Sequence, residues 1–331
     1  MDTLRPDTPR FDLLGIGNAI VDVVSPSDHA FLSRHDMRPG SMALIDADAA
    51  ERLYATMPPG QESSGGSAAN TCAVAAALGA RVAYLGKVAD DALGRSFRED
   101  ITKAGVHFPT APLLQGAPTA RCLILVTPDG QRTMNTFLGA SVAFAPHDVD
   151  EDLIGRAAVL YLEGYLFDPP AAQQAFRTAA RAARIAGGQV ALTLSDAFCV
   201  DRHRSAFRDL LAEVDILFAN EVEITSLYET NRLDDAINAV RADVAMAAIT
   251  RSEIGSVVLR GAERVDIPAA PTHVVDTTGA GDAYAAGFLA ALTAGRDLAA
   301  CGRLGSLAAA EIISHYGARP ASDFGGMLGR V

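Results

Sequence analysis

Short, nearly continuous apolar runs recur along the chain, each followed by a longer stretch in which apolar residues return every third or fourth position. Val82 to Leu85 is one such run, and Leu93, Phe97 and Ile101 follow it at four-residue spacing, predicting a buried strand and then an amphipathic helix. The runs AAVLYLEG (Ala157 to Gly164), QVALTLS (Gln189 to Ser195), DILFAN (Asp215 to Asn220) and VAMAAIT (Val244 to Thr250) repeat the pattern. They alternate with helical stretches containing Phe176, Phe207, Leu211 and Ile237. Strands buried on both faces and joined by helices build a mainly parallel sheet flanked by helices, so the predicted fold class is α/β.

Two regions break this rhythm. RCLILVT, the turn PDG at Pro128 to Gly130, and RTMNTFLG predict an antiparallel hairpin between Ala120 and Leu138. Val21 to Ile45 mixes short extended pieces with Pro26, Pro39 and Gly40 and lacks a helical period. The two read either as a small β lid over the larger part or as surface excursions without a role.

The length of 331 residues, with 49% hydrophobic residues, suits a single large domain with a substantial core. A formal charge of −12 argues against a nucleic-acid partner, because polyanions are held by basic surfaces. The only lysines are Lys87 and Lys103, and Val88 follows Lys87, so the GxxxxGK[ST] phosphate loop is absent and a nucleotide would be held by main chain and arginine. Cys72, Cys122, Cys199 and Cys301 lie far apart, as reduced thiols of a cytoplasmic protein do, and the histidines form no zinc motif. No apolar run approaches the roughly 20 residues that span a bilayer, so no membrane partner is expected.

Two glycine clusters carry the candidate chemistry. In DTTGAGD (Asp276 to Asp282), Gly279 and Gly281 open a predicted helix, whose first N–H groups lack intrahelical partners and carry the positive dipole end. Such a turn suits an anion, and Asp282 would face an attacking hydroxyl; the same residues also read as an ordinary acidic first turn. In SSGGSAAN, Gly65 and Gly66 lead into a helix bearing Asn70, either beside a polar ligand or as a tight cap. Asn18 and Asp22, in FDLLGIGNAIVDVV, straddle a strand exit and could bind vicinal hydroxyls. GIGNAI is half of a dinucleotide fingerprint, but Ile20 replaces the final glycine of GxGxxG. On their own residues, Asn220 and Glu223 of NEVE read as a turn asparagine and a helix-start acid.

GGSAAN, then LGARVAYLGKVADDALGRSF, and DTTGAGD near the C-terminus together resemble both signatures of the PfkB, or ribokinase-like, kinases, in the right order and over nearly the whole chain. The resemblance implies a ribokinase-like fold with a β-sheet lid, ATP as donor and a substrate alcohol as acceptor. It implies Asp282 as base, the N–H groups of Gly279, Ala280 and Gly281 as an anion hole, and Mg2+ bridging the donor phosphates. Asn220 and Glu223 match the family's NxxE motif, Glu223 acting on Mg2+ through water. Thr250, Arg251 and Gly255, in TRSEIG, fall beside the ATP phosphates; Asp276, Thr278 and Gly317 fall where members of the family often hold a monovalent cation such as K+. The implied domain spans residues 1–331, with the lid at about 18–48 and 106–140 and the nucleotide-binding part at about 50–105 and 141–331.

GNxxxD, DILFANEVE and CGRLGSLAAAEIISHYGA look most like the adenosine-kinase branch. That branch implies ribose contacts from Asn18, Asp22, Gly65, Gly66 and Asn70, Arg132 approaching the transferred phosphate, and Met42 and Leu44 flanking the base. Tyr165, or equally Leu166, would stack from the large part. Thr278 departs from the Asn common in that branch, and Met42 stands near a position often held by Gln. The expected reaction is adenosine to AMP, with a ribokinase- or fructokinase-like sugar kinase as the alternative and a non-catalytic nucleotide- or sugar-binding regulator as a third reading. Monomer and lid-mediated homodimer both remain open.

Overall fold

The computed structural model describes residues 11–331. Its strands, in chain order, are β1 (Phe11–Ile16), β2 (Ile20–Pro26), β3 (Met42–Leu44), β4 (Gln61–Gly65), β5 (Val82–Leu85), β6 (Val106–His107) and β7 (Ala120–Val126). There follow β8 (Arg132–Phe137), β9 (Ala157–Glu163), β10 (Gln189–Thr193), β11 (Ile216–Asn220), β12 (Met246–Thr250), β13 (Ser256–Arg260) and β14 (Glu263–Ile267).

A nine-stranded sheet runs β14-β13-β12-β11-β10-β9-β1-β5-β6, parallel except where β13 pairs with its two neighbours. Side chains alternate across each strand, so Leu13, Val159 and Tyr161 enter one core with the helices Ser67–Ala77, Ala92–Lys103, Ala280–Thr293 and Leu298–Ile312. Leu14, Leu160 and Leu162 enter a second core, on the other face, with Pro170–Ile185, Ala197–Leu211 and Leu233–Asp243. This is the mainly parallel α/β sheet flanked by helices predicted from the sequence, down to the bounds of Val82–Leu85. Among the described residues, no helix is long and apolar enough to cross a membrane.

A second sheet of five strands runs β3-β8-β7-β2-β4, and β7 and β8 form the predicted antiparallel hairpin around Pro128 to Gly130. Its composition corrects the expected boundaries in two places. Gln61–Gly65, expected in the large part, pairs antiparallel with β2; its sequence QESSG has no apolar alternation because an edge strand buries little. Val106–His107, expected in the lid, instead pairs with β5 at the edge of the large sheet. Within Val21 to Ile45, where no helical period is visible, a single helical segment forms at His29–Arg34, capped by the Asp28 carboxylate accepting from Phe31 N at 2.6 Å.

Strand order places β1 between β5 and β9, so the later strands of the large sheet are added on opposite sides of β1. A crevice opens at the carboxyl ends of strands at such a switch point. Asn18 follows β1, Glu163 ends β9, Asn220 ends β11 and Thr250 ends β12, all on one edge because these strands are parallel.

The helix that carries Asp282 is anchored by Phe288, wholly buried, with ring centroids 5.3 Å from Phe218 and 6.4 Å from Tyr284. Phe288→Ala is expected to cost about 3–5 kcal/mol of unfolding free energy, read from urea denaturation monitored by circular dichroism; a loss below about 1 kcal/mol would contradict this packing.

Candidate active site

DTTGAGD forms a turn and then a helix, as predicted: Gly279 caps Ala280–Thr293 with φ +77°, a left-handed conformation in which a Cβ would also approach Ala318 Cβ to 2.6 Å. Nothing lies within 4 Å of a Cβ position at Gly281, so the helix opening is unobstructed there. The N–H of Ala280, expected in the anion hole, donates to Thr277 O at 3.2 Å in this conformation.

Asp282 sits in the first turn and faces the N-terminus of Ser67–Ala77. Its Oδ1 accepts from Ser67 Oγ at 2.6 Å and its Oδ2 from Asn70 Nδ2 at 3.2 Å. Burial pushes its carboxyl above the ordinary value, while these two bonds and the Arg319 guanidinium favour the ionised form.

Gly65 and Gly66 are required by close approach. A Cβ on Gly65 would lie 2.4 Å from Asp22 Oδ2, and one on Gly66, at φ +95°, would lie 2.0 Å from Asn18 O. The glycine turn therefore presses on both predicted hydroxyl binders. The Asp22 carboxyl is raised to about 6 by burial, which Arg319 and Arg132 oppose and Asp282 reinforces. Asn18 is held by Glu163, whose Oε1 accepts from Asn18 N at 3.1 Å and Nδ2 at 2.9 Å, while Oε2 accepts from Ala68 N at 2.7 Å. Asn18 Oδ1 is buried without a hydrogen-bond partner, a costly state that a ligand hydroxyl would relieve.

Arg132 starts β8 and reaches across to DTTGAGD, its Nη1 donating to Asp276 Oδ2 and, at 3.0 Å, to Thr278 Oγ1. Asp276 Oδ2 also accepts from Gly317 N at 3.2 Å, and Oδ1 accepts from Thr278 N at 3.0 Å and Thr278 Oγ1 at 2.7 Å. In this conformation the acceptor positions of Asp276 are thus taken and its charge is matched by a guanidinium.

Asn220 and Glu223 form a reciprocal capping box: Asn220 Oδ1 accepts from Glu223 N at 2.8 Å, and Glu223 accepts from Asn220 N at 2.9 Å and Nδ2 at 2.6 Å. The plain helix-start reading therefore holds whatever else they do. Glu223 keeps further acceptor capacity, burial raises it to about 7, and Asp196 and Asp282 add to the shift. Among the described residues, no cluster of three or more His, Cys, Asp or Glu is arranged to hold a metal. One acid facing other acids fits a hydrated Mg2+ ligated largely by water and phosphate. Arg251 shares its charge with Glu221, Nε donating to Oε2 at 2.9 Å. Gly255, at φ +107°, is required because a Cβ would meet Ile267 O at 2.0 Å, and Thr250 pairs with Ser256.

Met42 and Leu44 lie on the edge strand β3 and are 51% and 53% exposed. Tyr165 is exposed beyond the end of β9, whereas Leu166, the alternative stacking residue, is wholly buried in the core and presents no surface. Sequence reasoning missed Glu163, Ser67 and Arg319. Glu163 had a visible signal, an acid closing the apolar run AAVLYLEG; Arg319, in a polar stretch without a motif, had none.

Residues 41–324 match the pfkB family carbohydrate kinase domain, and the chain belongs to that family. Membership implies ATP as phosphoryl donor, usually with Mg2+, and a small nucleoside or sugar as acceptor. In structure the chain is similar to adenosine kinase from Sinorhizobium meliloti, with 51% identity, a TM-score of 0.89, and coverage of 97% of this chain and 99% of that one. It is equally similar to a probable sugar kinase from Rhizobium etli, with 48% identity, a TM-score of 0.90, and coverage of 98% and 99%. Adenosine kinase of Saccharomyces cerevisiae is 28% identical over 329 residues, covering 92% of this chain and 95% of its own length.

Burial raises the Glu163 carboxyl from 4.5 to about 7, so between these values the native state holds a proton that the unfolded chain has released. Stability is therefore expected to fall as pH rises through this window, and Glu163→Gln should flatten the fall, Asp22 and Glu223 retaining their own share. Chemical denaturation at a series of pH values checks this; identical slopes in the two proteins would refute it.

Proposed function

We propose that the chain transfers the γ-phosphoryl group of ATP to the primary hydroxyl of a ribonucleoside, adenosine before others, giving AMP and ADP. The observation that carries the reading is the buried, unpaired Asn18 Oδ1, on a residue that flanks the same Gly65–Gly66 turn as the Asp22 carboxylate; two such acceptors suit the vicinal hydroxyls of a ribose. The exposed apolar surfaces of Met42, Leu44 and Tyr165 suit a purine better than a free sugar, and the likeness to the Sinorhizobium enzyme points the same way.

In this reading Asp282, oriented by Ser67 and Asn70, takes the proton of the hydroxyl as its oxygen attacks phosphorus, and the bond from the γ-phosphorus to the β-phosphate bridging oxygen breaks. Gly279 to Gly281 supply backbone N–H groups for the transferring phosphoryl, Ala280 N exchanging its long bond to Thr277 O for the anion. Arg132 stands at the same loop, where its guanidinium meets the arriving charge. Glu223 would hold Mg2+ through water, and the ion would supply positive charge to the donor phosphates. Arg251 and the Thr250–Gly255 turn flank the donor, and the second sheet closes the site against water. The likeness to the Rhizobium etli protein supports sugar phosphorylation as the second reading.

ADP release with Mg-ATP, measured against adenosine, guanosine, cytidine, ribose and fructose, tests the proposal. Turnover should be highest with adenosine; strong turnover of ribose or fructose with none of adenosine would replace it with the sugar-kinase reading. Asp282→Asn should fold, retain acceptor binding by calorimetry and lose on the order of a hundredfold in kcat. Near-normal turnover in that variant would remove Asp282 as the base.

A further inference from the structure

We propose that Arg319 is a positioning residue of the phosphoryl-transfer site, clamping the turn that carries Ser67 and Asn70 and supplying a shared positive charge to Asp22 and Asp282. The proposal rests on the kinase reading above. Arg319 follows the helix Leu298–Ile312, and its guanidinium is spent on neutral oxygens: Nε and Nη2 donate to Ser64 O at 3.1 and 2.6 Å, Nη2 to Ser64 Oγ at 2.8 Å, and Nη1 to Ala69 O at 2.8 Å. Ser64 belongs to β4 in the second sheet and Ala69 to the helix Ser67–Ala77, so one side chain joins that sheet, the helix and the C-terminal segment. Ala69 lies between the two residues that donate to Asp282, and fixing its carbonyl fixes their turn.

None of these bonds neutralises the guanidinium at contact distance, so its charge acts on carboxylates further away. Asp100 is one of them, already accepting from Ser64 N at 2.7 Å and Ser64 Oγ at 2.5 Å. Asp22 and Asp282 are the others, and for both Arg319 offsets the effect of burial. The remaining titratable groups around Asp282 are Asp22, Glu163, Glu223, Tyr161 and Tyr165, none of them cationic. Asp22 is faced in addition by Arg132 and Cys122. A lysine would keep the charge but not the planar fork that spans Ser64 and Ala69.

The test pairs Arg319→Gln with Arg319→Lys. Carboxyl carbons of 13C-labelled aspartate are titrated by NMR without substrate, Asp22 and Asp282 being assigned with D22N and D282N, and kcat and KM are measured across the same pH range. R319Q is expected to raise both midpoints by about one pH unit and to carry the acidic limb of kcat upward with them, because a carboxyl that loses a nearby cation keeps its proton to higher pH. R319K should leave the midpoints near those of the wild type but lower kcat about tenfold, the clamp being lost. The titration needs no turnover, so raised midpoints in a protein that phosphorylates none of the acceptors support the role of Arg319 and refute only the kinase reading. Unchanged midpoints in R319Q overturn the proposal. Should R319Q fail to fold, R319K decides: lowered kcat with wild-type midpoints supports the proposal, and wild-type kcat overturns it.

Discussion

The site depends on how closely the first turns of two small-residue helices approach each other. Ser67–Ala77 and Ala280–Thr293 are rich in alanine, and their buried faces are built from Ala68, Ala69, Ala73, Ala283 and Ala286. Small side chains let the helices come together until Ser67 and Asn70 touch the Asp282 carboxylate. A third helix enforces the same geometry, since a Cβ on Gly287 would lie 2.6 Å from Leu304 O. Packing thus sets the position and direction of the Asp282 carboxylate.

Packing alone would leave the site electrostatically strained. Asp22, Glu163 and Glu223 are each pushed up to about 6 or 7, chiefly by burial and partly by Asp282, with Asp196 adding to Glu223. For Asp22 the compensation comes from segments remote in sequence, Arg319 in the C-terminal segment and Arg132 on the second sheet, whereas Glu163 is offset by hydrogen bonds from Ala68 and Asn18 and Glu223 by one from Asn220. A recess so rich in acid and so poor in cations favours ligands that bring positive charge or hydroxyl donors, as hydrated Mg2+ and a polyol do. Glu163 illustrates the cost: an acid placed among apolar strand ends is hard to ionise, yet it accepts three hydrogen bonds that hold Asn18 and the helix start in place.

The second sheet contributes chemistry of a different kind. Through Arg132 it meets DTTGAGD, through Asp22 it meets the glycine turn, and through β3 it offers apolar surface. Membership of the pfkB family is common to nucleoside and sugar phosphorylation, so the acceptor is a matter for individual side chains and not for the fold. The pairing of Arg132 with Asp276 also makes the anion-loop acid an anchor for the second sheet.

Much of this was legible in the chain itself. Strands buried on both faces announce themselves as continuous apolar runs, and glycines at the openings of two helices marked where backbone must approach something closely; both readings rest on local sterics and periodicity. Edge strands were poorly legible, because Gln61–Gly65 and Val106–His107 bury too little to leave a pattern. The linkage of Asn18 to Glu163 spans 145 residues and that of Arg319 to Ala69 spans 250, separations at which no local pattern exists. Sequence alone therefore determined the fold class and the family, and singled out Asp282 and its glycine loop as the candidate acid and anion turn. Tertiary structure decided which charges stabilise that acid and which acceptor is left unpaired for a ligand, because burial and through-space charge arise only once distant segments share one recess.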